Sequence, residues 1–100
     1  MTIDATTWLY VAIQKTGPSE QIVGQTDIEH DISFIPAFLG KEVAQQAMFH
    51  LHLDKKKPYE VQAIIYEDLA RHAAENGFLV FVLDEDGKVM ERLPGVGSGK

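Results

Sequence analysis

Residues 59–84 read YEVQAIIYEDLARHAAENGFLVFVLD, and this stretch decides the fold. Its first eight residues, YEVQAIIY, are rich in β-branched and aromatic side chains, the composition of a strand. From Glu67 the period changes. Leu69, Ala70 and Ala73 recur at helical spacing as far as Asn76, and Gly77 suits the left-handed position that closes a helix. Residues 78–84, FLVFVLD, are then apolar on both parities, as a strand covered on both faces must be. Strand–helix–strand units are right-handed crossovers that make neighbouring strands parallel.

The same signals extend in both directions. Residues 7–14, TWLYVAIQ, are also apolar on both parities, with Trp8, Tyr10 and Ala12 on one and Leu9, Val11 and Ile13 on the other. Turn chemistry over 16–19 leads to a weaker strand around 21–26, which Gly24 interrupts. A polar turn over 27–31 precedes the strand 32–38, ISFIPAF. Pro36 cannot donate to a ladder there and marks an edge or an end. Between 40 and 53, Val43, Ala44, Ala47, Met48 and Leu51 form one helical stripe, so a helix is expected. Asp86-Gly87 predicts a two-residue hairpin into 88–92. The expectation is a single α/β (α+β) domain over 1–93, a mixed β-sheet with two helices in the order β-β-β-α-β-α-β-β. A glycine-rich tail over 94–100 is expected to be flexible.

The succession WLYVAIQ, then Ile35-Pro36-Ala37-Phe38 opening a helix, then YEVQAIIYEDLARHAAENGFLVFVLDEDG, resembles the N-terminal domain of SseB-type proteins. The likeness spans most of 7–89. The chain departs from that pattern at Leu39-Gly40 and at Leu83-Asp84-Glu85-Asp86. What the resemblance implies is a fold, with no catalytic residue set attached.

Composition narrows the function. The chain has 100 residues, no cysteine, and nine basic against fifteen acidic residues, a net charge of −6. Thiolate chemistry, disulfides and cysteine-held metals are excluded. The average field repels a phosphate backbone, so nucleic acid is not an expected partner. The longest apolar runs, 8–13 and 78–83, fall far short of the ~20 residues a membrane-spanning helix needs. No membrane partner is expected, and the cytoplasm is the default compartment.

The motifs that suggest chemistry dissolve on inspection. His50 and His52 could share a metal with Asp54 only on a strand, because residues two apart on a helix point away from each other. The tail Gly95-Val96-Gly97-Ser98-Gly99-Lys100 lacks the spacing, the following Ser/Thr and the helix of a phosphate loop. Ser19 and Ser33 sit in no nucleophile elbow. No cofactor, metal or catalytic residue is assigned.

Two surfaces remain. Ligands of open sheets bind beyond the carboxyl ends of parallel strands, which here carry Phe38, then Tyr66, Glu67 and Asp68, then Asp84 and Asp86. Those carboxylates could hold a divalent cation, the basis of an alternative reading as a small ligand- or cation-binding enzyme. The other surface is apolar. Phe49 falls among Glu42, Gln45 and Gln46 on the polar side of its helix, as a partner-binding anchor would. Trp8 and Tyr10 need a cover if both helices lie on one face of the sheet. The leading expectation is therefore a non-catalytic protein-interaction or regulatory module, with a protein partner or a second copy of itself.

Overall fold

A computed structural model describes residues 3–51 and 58–93. The expected tail 94–100, positions 52–53 of the first expected helix and the His52–Asp54 side of the histidine cluster lie outside them; Leu51, expected inside that helix, is extended at φ −97° and ψ 151°, so the helix ends before it. Among the described residues the chain forms β1 (Trp8–Thr16), β2 (Ser19–Ile22), β3 (Gln25–Asp27), β4 (Ile32–Ala37) and α1 (Lys41–Ala47). A single 3-10 turn, Met48–His50, prolongs α1. Then come β5 (Tyr59–Ile65), α2 (Tyr66–Asn76), β6 (Leu79–Leu83) and β7 (Val89–Leu93). The expected element order holds, with one strand more because the weak strand is two.

That division sets the architecture. β2 pairs with β1 and β3 with β4, so the chain passes from one sheet to the next at Val23-Gly24. The first sheet is antiparallel, β2-β1-β5; the second is mixed, β3-β4-β6-β7, with β4 and β6 parallel. A Cβ on Gly24 would stand 2.9 and 3.0 Å from two ring carbons of Phe78, so the corner is built around a missing side chain. The sheets also touch directly. Tyr10 and Phe38 exchange both backbone hydrogen bonds, at 2.8 and 2.9 Å, and the Val23 N–H donates to the Ala12 carbonyl. The parallel neighbours are β4 and β6, not the consecutive pairs β4/β5 and β5/β6, because β5 leaves to join β1.

Pro36 fits this geometry. β3 pairs with β4 only as far as Phe34, and Phe38 bonds to Tyr10. Alternate residues of a strand aim their N–H groups to the same side, so the missing donor of Pro36 falls in the gap between those two contacts. β4 is interior to its sheet, yet proline removes no ladder bond from it.

The two helices cover opposite faces, which explains strands apolar on both parities. Leu69 and Ala73 of α2 pack on Leu9, Val11, Ile35, Ala37, Val80 and Val82. Ala44 and Ala47 of α1 and Met48 of the turn after it pack with Ala12, Phe38, Phe81 and Leu83, with Tyr10 and Val61 alongside. Val80 is fully buried, and Ile3 from the N-terminal segment joins the α2 side. Most of the apolar surface that one-sided helices would have exposed is thus covered. On the α1 side, Phe34 and Phe81 stack at 4.5 Å and the Arg92 guanidinium lies 5.6 Å above the Phe81 ring. Ala63 is exposed.

α2 has no side-chain cap. Its first N–H groups are satisfied by the N-terminal segment instead: Tyr66 donates to the Thr7 carbonyl at 2.8 Å and Glu67 to that of Ala5 at 3.0 Å. An Asp4 turn holds this segment, with one carboxylate oxygen accepting from the backbone N–H and the hydroxyl of Thr6. At the other end Gly77 takes φ 76° and closes the helix.

Candidate functional site

β1 runs antiparallel to both β5 and β4, and β6 runs parallel to β4. The carboxyl ends of β4, β5 and β6 therefore point the same way, as the strand-end reading requires. The side chains there do other work. Phe38 is fully buried in the α1-side core and has no surface to offer a ligand, a correction to its expected role. It lies there because its strand end is stitched to β1 instead of opening into a crevice.

Tyr66 is half-buried, and burial, reinforced by the Glu91 charge, pushes its phenol above the ordinary tyrosine value. Glu67 and Asp68 are exposed, and an Asp68 oxygen accepts from Arg71 at 3.3 Å. Two backbone donors of the first turn of α2, those of Tyr66 and Glu67, are already taken by the Thr7 and Ala5 carbonyls. Asp84 is a turn former: one carboxylate oxygen accepts the backbone N–H groups of Asp86 and Lys88, each at 2.9 Å. The Gly87 N–H bonds to the Asp84 carbonyl and the Asp84 N–H to that of Lys88, so the hairpin loop has three residues, not the expected two. Asp86 is exposed at its tip. Among the described residues, no three His, Asp or Glu side chains are grouped to hold a metal ion.

Elsewhere, His30 and Asp27 form a local exposed pair at 2.9 Å. Its hydrogen bonds hold the Asp27 carboxyl below the usual carboxylate range. His50 packs its Cβ against the Gly87 turn. An open groove of about 640 Å³ runs between α2 and the β2–β3 corner, with Glu20, Ile22, His72, Asn76 and Phe78 among its walls.

The apolar candidates fare differently from one another. Phe49 is 90% exposed at the end of α1, as its helical position predicts. Trp8 is 59% exposed, whereas Tyr10 is half-buried against the α1-side core. Trp8 pairs with Ile65 and Tyr10 with Ala63, and directly opposed residues share a sheet face. α1 lies over the other end of that face, above Ala12 and Val61. Trp8, Ile65 and Ala63 are left as an apolar strip beyond the reach of the helix. Sequence reasoning missed this strip as a unit, because it depends on the β1–β5 register. A second groove, of about 370 Å³, lies where Lys41 and Gln45 of α1 overhang Tyr59, Glu60 and Val61.

No helix among the described residues is long and apolar enough to cross a membrane. Comparison with protein-family models, with curated proteins and with solved structures finds no match to this chain.

Proposed function

We propose that the chain is a non-catalytic protein-interaction or regulatory module of the cytoplasm, of the kind its resemblance to SseB-type domains suggests. The observation that carries this reading is the exposure of Trp8 beside Ile65 on a sheet face that α1 covers at one end only. Burying an indole removes about 150–250 Å² from water. With 59% of the residue exposed, roughly 90–150 Å² remains, about 2–4 kcal/mol to whatever covers it. The strand-end carboxylates support the same reading from the other side, since Asp68 and Asp84 are engaged within their own elements.

Two measurements test it. Immobilised chain captures a protein from its native extract, and Trp8→Ser weakens that capture while leaving the far-UV circular dichroism unchanged. Thermal unfolding with Mg²⁺, Ca²⁺, Zn²⁺ or nucleotides shows no shift, whereas a ligand at a hundred times its dissociation constant would add ~2.7 kcal/mol. A reproducible rise in melting temperature would favour the ligand-binding enzyme instead.

A further inference from the structure

We propose that β5 is a homodimerisation edge, where a second copy of the chain adds its own β5 antiparallel across a two-fold axis at Gln62. The proposal rests on the interaction-module reading and names the partner.

The hydrogen-bond phase of β5 is fixed at both ends. Tyr66 donates to the Thr7 carbonyl, and the Lys15 N–H donates to the Pro58 carbonyl. Even-numbered residues of this strand therefore bond to β1, and Tyr59, Val61, Ala63 and Ile65 turn their backbone groups outward. β5 ends its sheet, and no described strand pairs with that outer side.

Open edges in proteins are ordinarily blunted by proline, lysine, a bulge or shortness. The other edges here are: β2 has four residues, β3 has three, and β7 carries Glu91, Arg92 and a register break opposite Val82/Leu83. β5 has seven residues, YEVQAII, with no proline, lysine or glycine, and a regular register throughout.

Three features select a second copy as the occupant. A two-fold axis at Gln62 pairs all seven residues with none overhanging: Tyr59 meets Ile65 of the partner, Val61 meets Ala63, and Gln62 meets itself. No like charges are opposed, because Glu60 falls opposite Ile64 and keeps its own Lys15 at 3.4 Å. The same operation also covers the apolar strip. α1 overhangs the Tyr59–Val61 end of β5, and the axis carries that end of the partner, with its α1, alongside Ala63 and Ile65. The uncovered strip and the open edge are thus completed by one operator, giving a continuous sheet β2-β1-β5-β5-β1-β2.

Sedimentation velocity across a concentration series reads the mass. The wild-type chain is expected to double its mass as concentration rises. Ala63→Pro removes an outward N–H while leaving every bond to β1 in place, and Ala63→Lys places a charge on the edge. Each is expected to raise the dimer dissociation constant at least tenfold, and Ala63→Lys carries the test alone if the proline variant does not fold. Met90→Ser, exposed on β7 in the other sheet, should dimerise like the wild type.

The chain lacks cysteine, so Gln62→Cys gives a clean cross-link. Opposed residues in a non-hydrogen-bonded pair have Cα atoms about 4.5 Å apart, within disulfide reach, and mild oxidation should yield a covalent dimer. A wild-type monomer at every concentration overturns the proposal. So does a dimer insensitive to both Ala63 variants and not cross-linked through position 62. If self-pairing fails while Trp8-dependent capture of another protein persists, the interaction-module reading stands without it.

Discussion

Gly24→Ala should destabilise the fold through a contact with a single ring. Gly24 does not hold positive φ, so alanine is conformationally acceptable there. The cost comes from the new methyl, which would sit 2.9 and 3.0 Å from Phe78 ring carbons and 3.7 Å from the Phe34 carbonyl oxygen. Phe78 packs against the α2-side core, so its ring can yield only by disturbing that packing. Overpacking of this sort costs about 1–3 kcal/mol. A domain of this length should lose roughly 4–8 °C of melting temperature per kcal/mol.

A double-mutant cycle isolates the cause. In a Phe78→Ala background the obstruction is gone, and Gly24→Ala should become neutral or stabilise by about 0.4–1 kcal/mol through the unfolded chain. Urea unfolding followed by far-UV circular dichroism measures all four proteins. An equal cost in both backgrounds would refute the argument that the ring, and not the backbone, demands glycine at the corner.

Gly87→Ala should cost more than Gly17→Ala by the same assay. Both positions have positive φ, 79° and 62°, but a Cβ at Gly87 meets the His50 Cβ at 3.0 Å, while one at Gly17 meets nothing within 4 Å. The shared backbone strain is about 1–2 kcal/mol, and the excess at Gly87 reports the contact. For Asp27, whose carboxyl is held low by its His30 hydrogen bond, the stabilisation is present above the ordinary aspartate value and lost as pH falls through the lowered one. The melting-temperature gap between wild type and Asp27→Asn should therefore narrow from pH 6 to pH 3. For Tyr66, burial and the Glu91 charge raise the phenol value. The stability it contributes is thus present below the ordinary tyrosine value and lost as pH rises through the raised one. Ultraviolet titration should find a tyrosine ionising above the ordinary range, and Glu91→Gln should lower its midpoint.

What could be read from the sequence was whatever depends on neighbours along the chain. The periods of 40–53 and 67–76 identified both helices, although the first ends before Leu51, and the two-sided apolar strands around Val11 and Phe81 required cover on both faces, which the helices provide from opposite sides. The exposure of Phe49 followed from its place on a helical wheel. Features set by distant residues were hidden. Gly24 reads as a weak spot in a strand because its reason is the ring of Phe78. Phe38 reads as a strand end facing solvent because its partner is Tyr10. The carboxylates of Asp68 and Asp84 read equally as a ligand shell or as turn and helix chemistry, and only their bonds to Arg71 and to the Asp86 and Lys88 amides separate the two.

The passage of the chain between sheets at Gly24 also governs how the molecule can be assembled and taken apart. Each sheet draws strands from both halves of the sequence: β1 and β2 wait for β5, and β3 and β4 wait for β6. A fragment ending before β5 would hold two incomplete sheets and neither mature face, so no half is an autonomous folding unit. On the ribosome the first four strands must remain unfinished until the rest of the chain emerges. Such non-local closure slows folding relative to a helical bundle of equal length. It also binds the two sheets into one cooperative transition, so a nick between β4 and β5 should leave both halves held together under native conditions and release them only when the whole domain melts.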